Sequence, residues 1–224
     1  MTHVGLTFVC VLFDGKKNVP EASRGFYTPQ WVDKLWRGIR RWYSRPFRFV
    51  CLTDQPSGVF DEDVEAIDFL DDKHSWLNLM EMYRPELELG RFMTLGLDTV
   101  ITGSLDDLAG YEGHFGCNRD PYNPNTYANG VTIVNGDYAR VIWELWQLHG
   151  DETVAMCGSA SELAWMRKFL PRPDILCDQF PGQILSYSVF ARKLTEPGNT
   201  RVVGFHGKSK PHNCSSDWVM ANWI

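Results

Sequence analysis

The stretch that most constrains this chain is residues 91–108, RFMTLGLDTVITGSLDDL. Residues 91–97 are few and largely apolar, the pattern of a central parallel strand covered on both faces. The run ends on Asp98. An acid in that place points into the crevice beyond the carboxyl edge of the sheet, where open α/β folds hold their ligands. Residues 99–108 return to apolar side chains punctuated by Gly103 and Ser104, so Asp98 is a lone charge between hydrophobic segments. A carboxylate so placed is costly unless it is paired or holds a cation. Capping or salt-bridging of a loop accounts for Asp98 as well as ligand binding does.

The flanking segments supply the rest of such a sheet. Residues 7–13 read as a first strand ending at Asp14-Gly15-Lys16, and Thr28-Pro29 as a helix start with Thr28 as N-cap. Trp31, Leu35, Trp36, Ile39 and Trp42 then recur at helical spacing and are expected in the core. Residues 47–53 and 64–69 are the second and third strands, and this strand, helix, strand order is that of a Rossmann-like half. Further on, the pattern predicts helices over 76–83, 139–149 and 161–169. It predicts strands over 114–118, 131–135 and 201–205, with a loop at 120–129.

No Gly-x-Gly-x-x-Gly follows the first strand and no Walker loop occurs, which argues against a dinucleotide oxidoreductase or a phosphate-loop kinase. The formal charge of −6 argues against a protein built around nucleic-acid phosphates. A cluster of Arg37, Arg40, Arg41, Arg45 and Arg48 keeps that option open, although the solvated face of a helix explains it too. The six cysteines form no Cys-x-x-Cys pair, so buried thiols in a reducing compartment are expected rather than a zinc knuckle or disulfide framework. The first apolar run is too short to span a bilayer and has no basic region before it, which predicts a cytoplasmic protein with no membrane span. At 224 residues the chain fits one well-buried domain, and nine tryptophans suggest stacking surfaces as well as core.

LGLDTVITGSLDDL resembles the metal-binding segment of A-type-fold glycosyltransferases, in particular the family 8-like enzymes, which read LDLDTVI. Those enzymes carry Asp-x-Asp, and the first Asp is here Gly96. The opening, VCVLFDGKKN and YTPQWVDKLWRGIRRWYSRPFRFVCLTDQPSG, is similar to that of bacterial and phage glycosyltransferase-like proteins. The likeness implies a single-domain α/β, A-type glycosyltransferase fold, a Rossmann-like nucleotide half with a mixed central sheet. Residues 1–108 would bind the nucleotide sugar, and 109–224 the acceptor.

The implied reaction is divalent-metal-dependent, retaining transfer of a sugar from a nucleotide-diphosphate sugar, UDP-sugar foremost, to the hydroxyl of an acceptor glycan or small molecule. Phe13 and Tyr27 would flank the base, although Tyr27 equally suits a staple at the helix start. Arg91 would be an electrostatic partner of the diphosphate. HGKSKPH resembles the family's C-terminal His-x-x-Gly-x-x-Lys-Pro, with Gly207, Lys210 and Pro211 matching and Gly204 in the place of the His. His206, two residues on, can point the same way along a strand. Mn²⁺ or Mg²⁺ would then lie between Asp98 and His206, with Lys210 and Lys208 on the diphosphate.

Asp178-Gln179 matches the Asp-Gln pair beneath the donor sugar, and a helix N-cap is the other explanation. Arg119 and Asp120 suit sugar hydroxyls or each other. Asn129-Gly130 matches an acceptor-side element and equally a turn. Gly96 also motivates a rival, a non-catalytic nucleotide-sugar or carbohydrate-binding module. A modified base in phage DNA is an alternative acceptor, with the arginine cluster carrying the DNA.

Overall fold

The computed structural model describes residues 5–14, 26–61, 63–156 and 161–224. Its strands, in chain order, are β1 (Leu6–Leu12), β2 (Phe47–Thr53), β3 (Glu65–Asp68), β4 (Phe92–Leu95), β5 (Thr99–Ile101), β6 (Phe115–Arg119), β7 (Tyr127–Val134), β8 (Asp174–Ile175), β9 (Ile184–Ser186) and β10 (Val202–Gly204). The α-helices are α1 (Pro29–Trp42), α2 (Asp106–Ala109), α3 (Gly136–Met156), α4 (Glu162–Phe169), α5 (Leu176–Gln179) and α6 (Asp217–Met220). Seven strands form one mixed sheet in the order β3-β2-β1-β4-β7-β6-β8. The first four are parallel, β7 runs against both β4 and β6, and β8 is parallel to β6.

The two-residue period of β1 divides the core. Leu6, Phe8, Cys10 and Leu12 face α1, whose Val32, Leu35 and Ile39 are buried against them. Val9 faces the other layer, with Met80, Ile142 and Trp165. Cys10 and Cys51 are register partners, and the described cysteines are free thiols; Cys157 lies outside the described residues. Among the described residues no helix is long and apolar enough to cross a membrane.

Several expectations shift in detail. Thr28 is the extended residue before α1, but its side chain makes no capping hydrogen bond, and Pro29 at the first position sets the start instead. The segment Trp76–Tyr83 is a 3₁₀ helix with the expected bounds. Two of its polar groups serve the preceding loop: Asn78 accepts from the Lys73 amide and Glu81 from the Leu70 and Asp71 amides. Asn129-Gly130 lies inside β7 and is not a turn.

A three-stranded sheet, β5-β10-β9, was not foreseen. Its antiparallel pairing sets Gly204 opposite Thr99, which brings residues from the end of the chain beside Asp98.

Candidate active site

Strand order reverses between β1 and β4, because the chain goes outward from β1 to β2 and β3 and returns on the other side with β4. Such a switch point opens a crevice at the carboxyl ends of the two strands. A cavity of about 540 Å³ lies there, walled by Leu12 and Phe13 beyond β1, by Gly96 and Asp98 beyond β4, and by Tyr27 and Lys210. The apolar side is extended by Trp76, Leu79 and Met82 of the 3₁₀ helix, and Lys208 and Gly207 complete the wall.

Three side chains far apart in sequence meet at this wall. The Tyr27 hydroxyl donates to Asp98 Oδ2 at 3.0 Å, the Lys210 ammonium donates to the same oxygen, and Lys210 Nζ also donates to the Tyr27 oxygen at 3.0 Å. Burial pushes the Tyr27 phenol well up, and the Asp98 charge and hydrogen bond push it further, so the phenol stays a donor. Its ring is wedged edge-on against Trp31, with centroids 5.1 Å apart, which fixes where the hydroxyl points.

Local structure explains how Lys210 arrives. Beyond β10 the Phe205 amide donates to the Asp98 carbonyl at 3.1 Å, prolonging the β5 pairing. The chain then leaves at Gly207, whose φ of +63° is the left-handed region that glycine enters without steric cost. Asn213 clips the resulting loop by accepting from the Lys210 amide at 2.8 Å and donating to the Lys208 carbonyl at 3.1 Å.

His206 sits beside this group. Burial lowers its pKa below the ordinary 6.5, and Lys210 adds to that, while Asp98 and Asp120 oppose it, so the imidazole is neutral at pH 7. Its ring meets that of the exposed Tyr122 edge-on at 6.0 Å. A divalent cation at Asp98 and His206 would find one carboxylate and one imidazole. At Gly96 a Cβ would already come within 3.2 Å of Asp98 Oδ1, and no second acid stands there. Lys210 also already holds Asp98 Oδ2. Two ligands, one of them already held by Lys210, are a poor fit for a cation site, which would have to draw most of its oxygens from the substrate's phosphates and water. Among the described residues, the trio close enough to share a cation is elsewhere: Asp54, Asp72 and His74, whose ligand atoms lie within 4.8 Å of one another.

The other residues singled out from the sequence are spread around the molecule. Arg91 does not reach the cavity: its guanidinium donates to the carbonyls of Ala109 and Tyr111, because it precedes β4 while Asp98 follows it. Arg119 and Asp120 do not pair with each other. Arg119 is bonded to Asp178, and Asp120 to Arg167 at 2.8 Å. Asp178 lies inside α5 and not at its N-cap, and is largely exposed, as is its neighbour Gln179. Asn129 lines the cavity and donates to the buried Glu162 at 2.9 Å. In the basic cluster Arg37, Arg40 and Arg48 pair with Asp61, Asp63 and Glu65, and Arg41 donates to the Ala221 carbonyl. The Tyr27 link to Asp98 had no signal in the sequence, since 71 residues separate the two.

No protein-family model matches the chain, and no curated protein matches it in sequence. Solved structures do match. The glycosyltransferase GlyE of Streptococcus pneumoniae TIGR4 is 14% identical with a TM-score of 0.66, over 98% of this chain and 61% of that one. An active-site mutant of LgtC is 13% identical with a TM-score of 0.62, over 96% of this chain and 93% of that one. The bifunctional glycosyltransferase WbbM is 12% identical with a TM-score of 0.64, over 98% of this chain and 50% of that one. The chain thus spans about 61% of GlyE and nearly the whole of LgtC. At these identities the likeness is one of architecture, and the architecture is that of the A-type glycosyltransferases.

Proposed function

We propose that the chain transfers a sugar from a nucleoside-diphosphate sugar to an acceptor hydroxyl, as a relative of the family 8-like enzymes. The observation that carries this is the Lys210 ammonium held on Asp98 and Tyr27 at the wall of the switch-point cavity, with Lys208 in the same wall. Negative charge grows on the departing diphosphate as the glycosidic bond breaks, and preorganised cations there contribute most to the rate. Residues 1–108 supply the nucleotide side, with Phe13 and the Tyr27 ring beside the base. The return of β10 adds the lysines from residues 109–224, whose remaining part faces the acceptor. Asp178, Gln179 and Arg119 serve the transferred sugar, and Asp120 and Asn129 the acceptor side. Retention of anomeric configuration and a UDP-sugar donor belong to this reading. The fold likeness to LgtC, of which one structure holds donor and acceptor sugar analogues, supports it.

A glycan or small-molecule hydroxyl is preferred as acceptor over a modified base in phage DNA, since three of the five clustered arginines are paired with carboxylates, which lowers the local positive charge that a DNA backbone would need. Gly96 in place of an acid favours a second reading, a module that binds nucleotide sugar without turning it over. Incubation with a panel of nucleotide sugars, reading nucleoside-diphosphate release and the anomeric configuration of product, separates the two. Thermal shift with the matching diphosphates tests both. A ligand at 100 times its dissociation constant stabilises by roughly 2.7 kcal/mol, and no shift with any of them would overturn both readings.

A further inference from the structure

The cation that the diphosphate needs is already part of the protein. We infer that the Lys210 ammonium, seated on Asp98 and Tyr27, stands where a divalent metal would otherwise bridge Asp98 and the diphosphate, so that this chain binds and releases nucleoside diphosphates without a metal. The inference rests on the nucleotide-sugar reading and deepens it.

Four observations carry it. The first is that Asp98 Oδ2 accepts from both Lys210 and Tyr27, so one of the two carboxylate oxygens is already taken by a positive charge and a phenol. Second, the acid that would complete a metal site is missing: Gly96 stands in its place, and a Cβ there would press on Asp98 Oδ1 at 3.2 Å, so that the carboxylate would have to give by a few tenths of an ångström.

Third, Lys210 has three N–H donors. Among the described residues one goes to Asp98 and one to Tyr27, which leaves the third for an oxygen in the cavity. Lysine is a compact point charge that binds phosphate oxygens well, and the two fixed contacts remove much of the rotamer entropy it would otherwise lose on binding. Fourth, the wall carries charge of the sign a diphosphate needs. Lys208 and Lys210 in the cavity wall exceed the single charge of Asp98 by one, so the wall is net cationic before any ion is added. Tyr27 acts as a positioning residue here: it holds the carboxylate and the ammonium in one geometry without touching the reacting bond.

The test uses the full chain. Isothermal titration with UDP, GDP, ADP, CDP and dTDP is run in EDTA and again in Mn²⁺. The expected result is that the diphosphate that binds does so with dissociation constants equal within about twofold in the two buffers, and that turnover of its sugar ester is likewise unchanged by EDTA. Binding or turnover that requires Mn²⁺ overturns the inference and leaves the nucleotide-sugar reading standing. Binding of none of the five in either buffer overturns that reading and the inference with it.

Lys210→Gln supplies a second measurement. It should weaken the nucleoside diphosphate at least tenfold while changing the affinity for the corresponding nucleoside less than about twofold. An equal loss for both ligands, which a collapsed pocket would give, overturns the role assigned to the ammonium.

Discussion

Among the described residues, two ion pairs have both members singled out by the sequence, and they differ in burial. Asp98 and Lys210 have side chains only 19% and 14% exposed, and a third group, Tyr27, ties them together. Asp178 and Arg119 are 63% and 32% exposed, and Arg119 spends its other nitrogen on the Pro124 carbonyl. In the first pair, water has been replaced by fixed partners, so removing one member leaves the other with little compensation. In the second, water replaces whatever is lost. Burial, and not the mere presence of a salt bridge, therefore sets how much each pair loses when one member is removed.

The comparison can be broken in order of expected effect. Lys210→Ala should lower turnover by about 10²–10³-fold, the range for removing one preorganised donor to a developing negative charge; steady-state release of nucleoside diphosphate measures it. Asp98→Asn should cost roughly 1–3 kcal/mol in urea unfolding, below the figure for a fully buried pair because water reaches part of it. Tyr27→Phe keeps the ring packing and removes the two hydrogen bonds that the hydroxyl makes to charged groups, donating to Asp98 and accepting from Lys210, which should cost about 1.5 kcal/mol. Asp178→Asn should change stability by under about 0.5 kcal/mol. If it changes turnover as little, the exposed pair is no part of the machinery, and the contrast with Asp98 becomes sharper still.

The smallest effect is on pH dependence. His206 is folded with its pKa below the ordinary 6.5, so its contribution to stability is fully present above pH 6.5. As pH falls below that value the unfolded chain takes up the proton first, and stability declines until the folded imidazole protonates as well. His206→Gln should remove that part of the decline, as read from urea midpoints between pH 7 and 5.

The regular parallel half was legible to within a residue or two: β1, β3 and β4 shift or shorten by that much. β2 has the expected bounds because an apolar β-branched run between turn residues has few alternatives. The helix expected over 76–83 also has those bounds, and its 3₁₀ winding is something that apolar spacing over eight residues does not declare. Asp98 and Lys210 were both singled out, each by its local motif, while the bond between them spans 112 residues and has no local signature. Arg91 was misplaced for a related reason. It is close to Asp98 in sequence, but the two flank β4, Arg91 before Phe92 and Asp98 in the turn after Leu95, so they stand at opposite ends of the strand. The pairing of β5 with β10 is the piece that periodicity did not contain, because three-residue strands carry too few alternations to declare a partner.

That pairing has a consequence for how the protein comes into being. The four parallel strands β1 to β4 are complete once residue 95 has been translated, yet Lys210, which closes the cavity at their carboxyl ends, is more than a hundred codons away. The order of synthesis is thus the reverse of the order in which a ligand would meet the wall: its oldest part is apolar strand, and its cation is among the last residues made.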